Sequence, residues 1–252
     1  VESVKDSAGT VTGYRLAVKD KYTNWDGKDN VTWSILKLDA KGAVTYGQWD
    51  ATKGYHVDEN VYGLKSISSY EADWFKDDLN GDGRIGIDAA LLKMVDTDTF
   101  GIKLARDSEK SLYIVEGQTV KSIDSSWLEY ENSWGTGSNK KEAVAVEAVR
   151  DASGAITAYK LALKQTDNYD GKETIRWEVM TLGSDGKMNK GGGAMAMASG
   201  GSSTYTNSIA PYETLFGQDL NGDGRVGVDI STLTKGTTDK VGVTFARDTE
   251  RD

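Results

Sequence analysis

The sequence predicts a mainly β protein: two tandem β-rich, sandwich-like domains, each with a short helical turn leading into a polar loop. Three observations carry that expectation. Short segments rich in Val, Ile, Thr, Tyr and Trp alternate apolar with polar residues, the period of a half-buried strand. Glycine occurs 29 times and proline once, a balance that suits many tight turns between strands. The chain also repeats itself. Residues 1–9 (VESVKDSAG) align with 146–154 (VEAVRDASG), and 101–107 (GIKLARD) with 242–248 (GVTFARD). The offset falls only from 145 to 141 between those pairs, and a period this long means tandem domains rather than a thin solenoid.

Taken in order, each copy begins as a hairpin. Tyr14, Leu16 and Val18 alternate with Arg15, Ala17 and Lys19. Val31, Trp33 and Ile35 alternate likewise, as do Ile175, Trp177 and Val179, and Asp39–Gly42 and Ser184–Gly186 are turn signals after those strands. Glu71, Trp74, Phe75 and Asp78 then fall at helical spacing, with Ser68 or Ser69 as cap. The second copy has Tyr212, Glu213, Leu215 and Phe216 there, one residue shorter. Phe100, Ile102 and Leu104 match Val241, Val243 and Phe245 as a following strand, and Ser111–Glu116 reads as another. Residues 132–141 (NSWGTGSNKK) read as a linker, giving a first domain over 1–131 and a second over 142–252. Residues 191–203 (GGGAMAMASGGSS) are low in complexity and read as a mobile surface loop.

The stretch with the most chemical content occurs twice: residues 78–88 (DLNGDGRIGID) and 219–229 (DLNGDGRVGVD). Oxygen-bearing side chains stand at positions 1, 3 and 5 (Asp78, Asn80, Asp82; Asp219, Asn221, Asp223), with glycine at position 6. A loop wound round an ion turns alternate side chains inward, and glycine takes the left-handed backbone at the sharp bend. Arg84 and Arg225, at position 7, offer a backbone carbonyl. Ile85 and Val226 follow, apolar residues suited to anchoring the loop to a core. An all-oxygen ligand set favours Ca2+ over zinc or copper. An EF-hand loop closes with glutamate at position 12; here that position is Ala89 or Ile230, and Asp88 or Asp229 stands one residue earlier. The exit is therefore expected to differ from an EF-hand helix. The affinity expected is that of extracellular calcium modules, Kd roughly 10⁻⁴ to 10⁻³ M. The alternative is a polar Asp/Asn/Gly turn holding no metal.

Composition removes several classes. Net charge is -9, which argues against sustained nucleic-acid binding. There is no cysteine, hence no disulfide framework or thiol chemistry. Apolar runs such as Ala89–Leu92 are far too short for membrane insertion. The one histidine, His56, reads as a surface loop residue and forms no Ser-His-Asp set. Arg106-Asp107 and Arg247-Asp248 recur and read as surface ion pairs. No nucleophile–base pattern stands out, so no enzyme is expected.

Residues 212–227 (YETLFGQDLNGDGRVG) resemble the signature of the tryptophan-rich C-terminal repeat domain of bacterial and cyanobacterial secreted proteins, and its DxNxDG core also resembles dockerin calcium loops. Trp33 and Trp177 match the family's tryptophan. The resemblance covers nearly all of both copies; the first departs from it in its extra residue before Phe75 and in Lys76-Asp77. It implies a large exported or surface-attached bacterial protein, adhesin-like or layer-forming, and no catalytic activity.

The function expected is thus a calcium-stabilised structural or adhesive module at the bacterial cell surface, outside the cell. Its partners would be other copies of itself or further repeats. Asp252 aligns with Ser111, so the second copy is expected to lack the C-terminal strand that Leu112–Glu116 supplies to the first. Strand donation into an array or filament is one consequence of such an unpaired edge. The alternative is a carbohydrate-binding module contacting surface glycans through aromatic faces. Trp33 and Trp177, flanked by polar neighbours on strands, read as core; Trp25, Trp49, Trp127 and Trp134 lie near turns, where a sugar reaches them.

Overall fold

The computed structural model describes residues 1–23, 27, 29–50, 55–57, 60–123, 128–188, 203–231, 233–238 and 244–247. It is mainly β, 51% strand and 9% helical, as the alternating segments predict. The chain divides into two compact units, Val1–Asn207 and Ser208–Asp252.

In the first unit, β1 (Glu2–Lys5), β2 (Val11–Thr23) and β3 (Asp29–Asp39) form an antiparallel meander. The short pair β4 (Gln48–Asp50) and β5 (Tyr55–Val57) follows, and β6 (Val61–Leu64) then pairs with β3, giving the order β1-β2-β3-β6. His56 lies in β5 opposite Trp49, in a strand rather than the loop its isolated position suggests. Because side chains alternate across a strand, β3 sends Trp33 and Ile35 to one face. There they pack with Leu64, Ile67, Tyr70 and Phe75. That core holds α1 (Ser68–Tyr70) and the π turn Glu71–Phe75 against the sheet. Ile67, not a serine, is the N-cap residue of α1; the Ser66 hydroxyl instead accepts from the Ser68 amide at 3.3 Å.

Beyond the first polar loop and a 3-10 turn (Ala89–Leu91) come β7 (Lys93–Thr97), β8 (Lys103–Arg106), β9 (Leu112–Glu116) and β10 (Thr119–Ile123), a four-stranded antiparallel sheet in sequence order. A five-stranded sheet follows: β11 (Tyr130–Trp134), β12 (Gly137–Arg150), β13 (Ile156–Tyr169), β14 (Lys172–Gly183) and β15 (Ser203–Thr206). These two sheets enclose the main core as a sandwich. Ile102, Leu104, Leu112, Ile114 and Ile123 on one side meet Val146, Tyr159, Leu161, Leu163, Met180 and Leu182 on the other. The opposite face of the four-stranded sheet is also covered: Ala105, Tyr113 and Val115 pack with Leu92 and Ile87 from the loop's exit.

Two expectations change here. Residues 132–141 are not a linker. They form the β11–β12 hairpin, with Trp134 paired to Gly137, so of the glycines that suggested a linker Gly135 belongs to the turn and Gly137 opens β12. The main core also runs across the boundary that the repeat places between 131 and 142, since its two sheets come from different copies. Polar contacts bind the same joint. The Asp96 and Asp98 carboxylates accept from the amides of Val146 (2.9 Å) and Ala148 (3.2 Å). Arg106 forks onto the Glu129 carboxylate and donates to the Ala143 carbonyl at 2.7 Å. Arg106 is therefore no surface partner of Asp107, whose carboxylate instead accepts from the amides of Glu109 and Ser111 and from the Tyr113 hydroxyl.

The second unit comprises α2 (Ala210–Phe216), the second polar loop, and the antiparallel pair β16 (Thr234–Thr238) and β17 (Thr244–Arg247). By the repeat, these strands stand where β7 and β8 stand in the first copy. Residues 189–202 and 248–252 lie outside the described residues, and with them the chain's end and all of the low-complexity stretch but Ser203, which begins β15.

Candidate metal centre

The two loops have the same backbone. Glycines 81, 83 and 86 have φ of 81, 85 and 90°, and their counterparts 222, 224 and 227 have 81, 86 and 90°. Each loop is wound by its own side chains. Asp78 accepts from the amides of Gly81 (2.7 Å), Asp82 (3.2 Å) and Gly83 (2.8 Å). Asn80 Oδ1 accepts from the Asp82 amide and Asp82 Oδ1 from the Arg84 amide, each at 2.9 Å. Asp219, Asn221 and Asp223 repeat the pattern on Gly222, Asp223, Gly224 and Arg225. These are side-chain turns of the kind Asx residues make locally, which explains how a glycine-containing polar segment keeps one shape.

Position 11 has different partners. Asp88 Oδ1 accepts from the Ala90 amide at 2.9 Å, starting the 3-10 turn, and Oδ2 lies 3.7 Å from Arg84 Nε. Asp229 accepts from the amide and hydroxyl of Ser231 and pairs with Arg225. The expected departure from an EF-hand exit is visible: the chain leaves through a 3-10 turn into β7.

Position 8 does not anchor the loop. Ile85 and Val226 are about half exposed. The anchor is the next residue, Gly86 or Gly227. Each is buried, and a Cβ there would fall 2.8 Å from Ala72 Cβ or 2.7 Å from Thr214 Cγ2. Close backbone approach requires glycine at that point.

Sequence reasoning also passed over the residue that holds the loop in place. Glu71 and Glu213 are fully buried. Glu71 Oε1 accepts from the amides of Leu79 (2.9 Å) and Asn80 (3.0 Å), and Oε2 from the Gly86 amide (3.2 Å). Glu213 takes the equivalent three from Leu220, Asn221 and Gly227, each at 3.0 Å. Each carboxylate thus ties the start and end of its loop to the preceding helical turn. The signal was present: both copies keep the glutamate although the residue count to the loop differs by one. The π turn absorbs that extra residue. The Lys76 amide donates to the Glu71 carbonyl, an i to i+5 bond at 2.6 Å, where α2 ends with Gly217 on the Glu213 carbonyl.

The donor chemistry fits a hard cation. Asp78 Oδ2, Asn80 Oδ1 and Asp82 Oδ1 each accept one amide, leaving a lone pair apiece. Each loop brings two carboxylates and one amide oxygen at positions 1, 3 and 5. Among the described residues, no group of three or more His, Cys, Asp or Glu side chains gathers to hold an ion.

The aromatic candidates separate. Trp33 and Trp177 are each 4% exposed, paired across the strands with Lys19 and Lys164, whose ammonium groups lie 4.9 and 5.7 Å from the ring centroids. Trp134 is 41% exposed. Trp25 and Trp127 lie outside the described residues, as does the side chain of Trp49. A cleft of about 540 Å³ is lined by Trp177, Tyr205 and Arg176, with the buried Lys141–Glu178 ion pair (2.6 Å) in its wall. No protein-family model matches this chain, and no curated protein or solved structure matches it.

Proposed function

We propose that this chain is a calcium-stabilised structural or adhesive module of an exported bacterial surface protein, acting outside the cell through contacts with other copies or further repeats. The observation that carries the reading is the repeated construction of the loop. Two copies of one oxygen-rich loop are wound identically and tied by a buried glutamate to the turn before them. Asp78, Asn80, Asp82 and the Arg84 carbonyl would hold one ion, and Asp219, Asn221, Asp223 and the Arg225 carbonyl the other. Asp88 and Asp229 join these sets, directly or through water, by releasing their arginines. Binding would then stiffen the exit segment, whose Ile87 and Leu92 cover the back of the four-stranded sheet. The resemblance of residues 212–227 to a family of secreted bacterial repeats supports the location. No catalytic role is part of this reading.

Glycan binding is the weaker alternative. Trp33 and Trp177 present little ring to a sugar, and the neighbouring rings of Tyr70 and Trp74 are tilted by 57° rather than coplanar. Trp134 is the described tryptophan a sugar would reach.

The test is thermal unfolding with calcium, with magnesium and with excess chelator. At free calcium of about 100 times Kd, each loop is expected to add about 2.7 kcal/mol. Magnesium should not reproduce the rise, and titration should count two ions per chain. An unchanged midpoint would overturn the proposal.

A further inference from the structure

The repeat offers an internal control on the first sheet. In the second copy, β13 and β14 turn Tyr159, Leu161, Met180 and Leu182 toward the β7–β10 sheet, and all four are buried. The residues at the same repeat positions in the first copy are Tyr14, Leu16, Leu36 and Leu38. They are apolar too, and they pair across β2 and β3 in the same register: Leu16 with Leu36, Tyr14 with Leu38. The second copy pairs Leu161 with Met180 and Tyr159 with Leu182. Yet none of the four first-copy residues is buried, and Val18, the counterpart of fully buried Leu163, is 37% exposed. The sheet's other face has its own core around Trp33 and Ile35. Among the described residues, one face of this sheet therefore keeps the apolar residues of a sandwich interior without its other half.

The second copy also shows what covers such a face. Its cover begins with the β7–β8 hairpin of the preceding copy, which supplies Ile102 and Leu104 to the core. The described residues include another strand pair of this kind, β16–β17, aligned with β7–β8 at an offset of 141 and placing Phe245 at the position of Leu104.

We infer that the half-buried apolar face of β1–β2–β3 that carries Tyr14, Leu16, Val18, Leu36 and Leu38 is a docking surface for the β16–β17 hairpin of a second copy of this chain, so that chains join head to tail by the sheet-on-sheet joint that already links the two repeats within one chain. Such a contact is heterologous and does not close on itself, so it propagates. The inference rests on reading the chain as a structural repeat module, and it replaces strand donation by face packing. It does not depend on calcium: sedimentation reads the joint and the calcium melt reads the loops, so either can fail while the other stands.

The experiment is sedimentation of the full chain from low micromolar to several hundred micromolar, with Leu16→Arg, Leu36→Arg and Phe245→Asp variants. Wild type should grow beyond two chains with concentration. Each variant alone should remain a monomer, and an equal mixture of Leu16→Arg with Phe245→Asp should stop at a dimer, since each supplies the end the other lacks. Hydrogen exchange on wild type keeps the test independent of variant folding: amides of residues 11–18 and 33–38 should slow as concentration rises. Wild type that stays monomeric, exchange that does not slow, or assembly that Leu16→Arg abolishes but Phe245→Asp leaves intact would overturn it; the last would mean two first sheets packing face to face.

Discussion

The Gly86 amide donates to Glu71 Oε2 at 3.2 Å across fifteen residues, and the Gly227 amide donates to Glu213 Oε2 at 3.0 Å in the second copy. In each pair a buried carboxylate closes a polar loop onto a helical turn, with the glycine's missing side chain making room.

Removing the carboxylate strands three amides, one buried and two part-buried. Glu71→Ala and Glu213→Ala should each cost about 3 kcal/mol, on the scale of hydrogen bonds to charged groups. Glu→Gln should recover part of it, because the amide oxygen still accepts. Urea unfolding midpoints of the variants check both values.

The glycines should divide by space rather than by φ. Gly83→Ala meets nothing within 4 Å and should cost only its left-handed strain, about 1 kcal/mol. Gly86→Ala and Gly227→Ala carry similar strain plus a Cβ overlap with Ala72 or Thr214, and should cost about 2–4 kcal/mol. Equal losses at positions 83 and 86 would show that the contact relaxes freely.

Lys141 and Glu178 form an ion pair in which both side chains are nearly inaccessible. Lys141→Met removes the cation facing Glu178, whose carboxylate keeps the Ser203 hydroxyl at 2.7 Å. The loss expected is about 3–5 kcal/mol, and a Lys141→Met/Glu178→Leu double variant should regain most of it. A double-mutant cycle on unfolding free energies measures the coupling.

Glu147 provides a pH test. Burial raises its pKa above the ordinary 4.5, the Thr99 hydrogen bond opposes that, and Asp98 and Asp96 add to it. Its Oε2 is buried with no hydrogen-bond partner among the described residues. The unfolded chain therefore releases this proton first as pH rises through about 4.5, and the folded state loses stability until Glu147 itself ionises. Glu147→Gln should stabilise by about 1 kcal/mol at pH 7, with the difference vanishing below pH 4.5. A pH-independent gain would assign the effect to packing rather than ionisation.

Much of this was legible in the sequence because it is local. Alternation along Tyr14–Val18 and Ile175–Val179 fixes which residues share a face, since side-chain direction in a strand is set by the backbone itself. The loops at 78–88 and 219–229 were readable for the same reason: their bonds span two to five residues and involve residues that bond their own backbone. Glu71 and Glu213 were harder, because their partners lie seven to fifteen residues away and glutamate at helical spacing usually faces water. Residues 132–141 looked like a linker because glycine and asparagine mark turns and linkers alike.

The sequence by itself determined the β class, the repeat, the faces of each strand and the winding of both loops, since these depend on near neighbours and on period. Only the tertiary structure decided which face meets which. Leu161 and Leu16 carry the same local pattern, yet one is buried in the main core and the other is not, because burial depends on the sheet opposite. A hydrophobic pattern states that a face needs a cover; it holds no information on where along the chain that cover lies. Here it came from the preceding copy, so the sandwich is built half a repeat out of step with the sequence that encodes it.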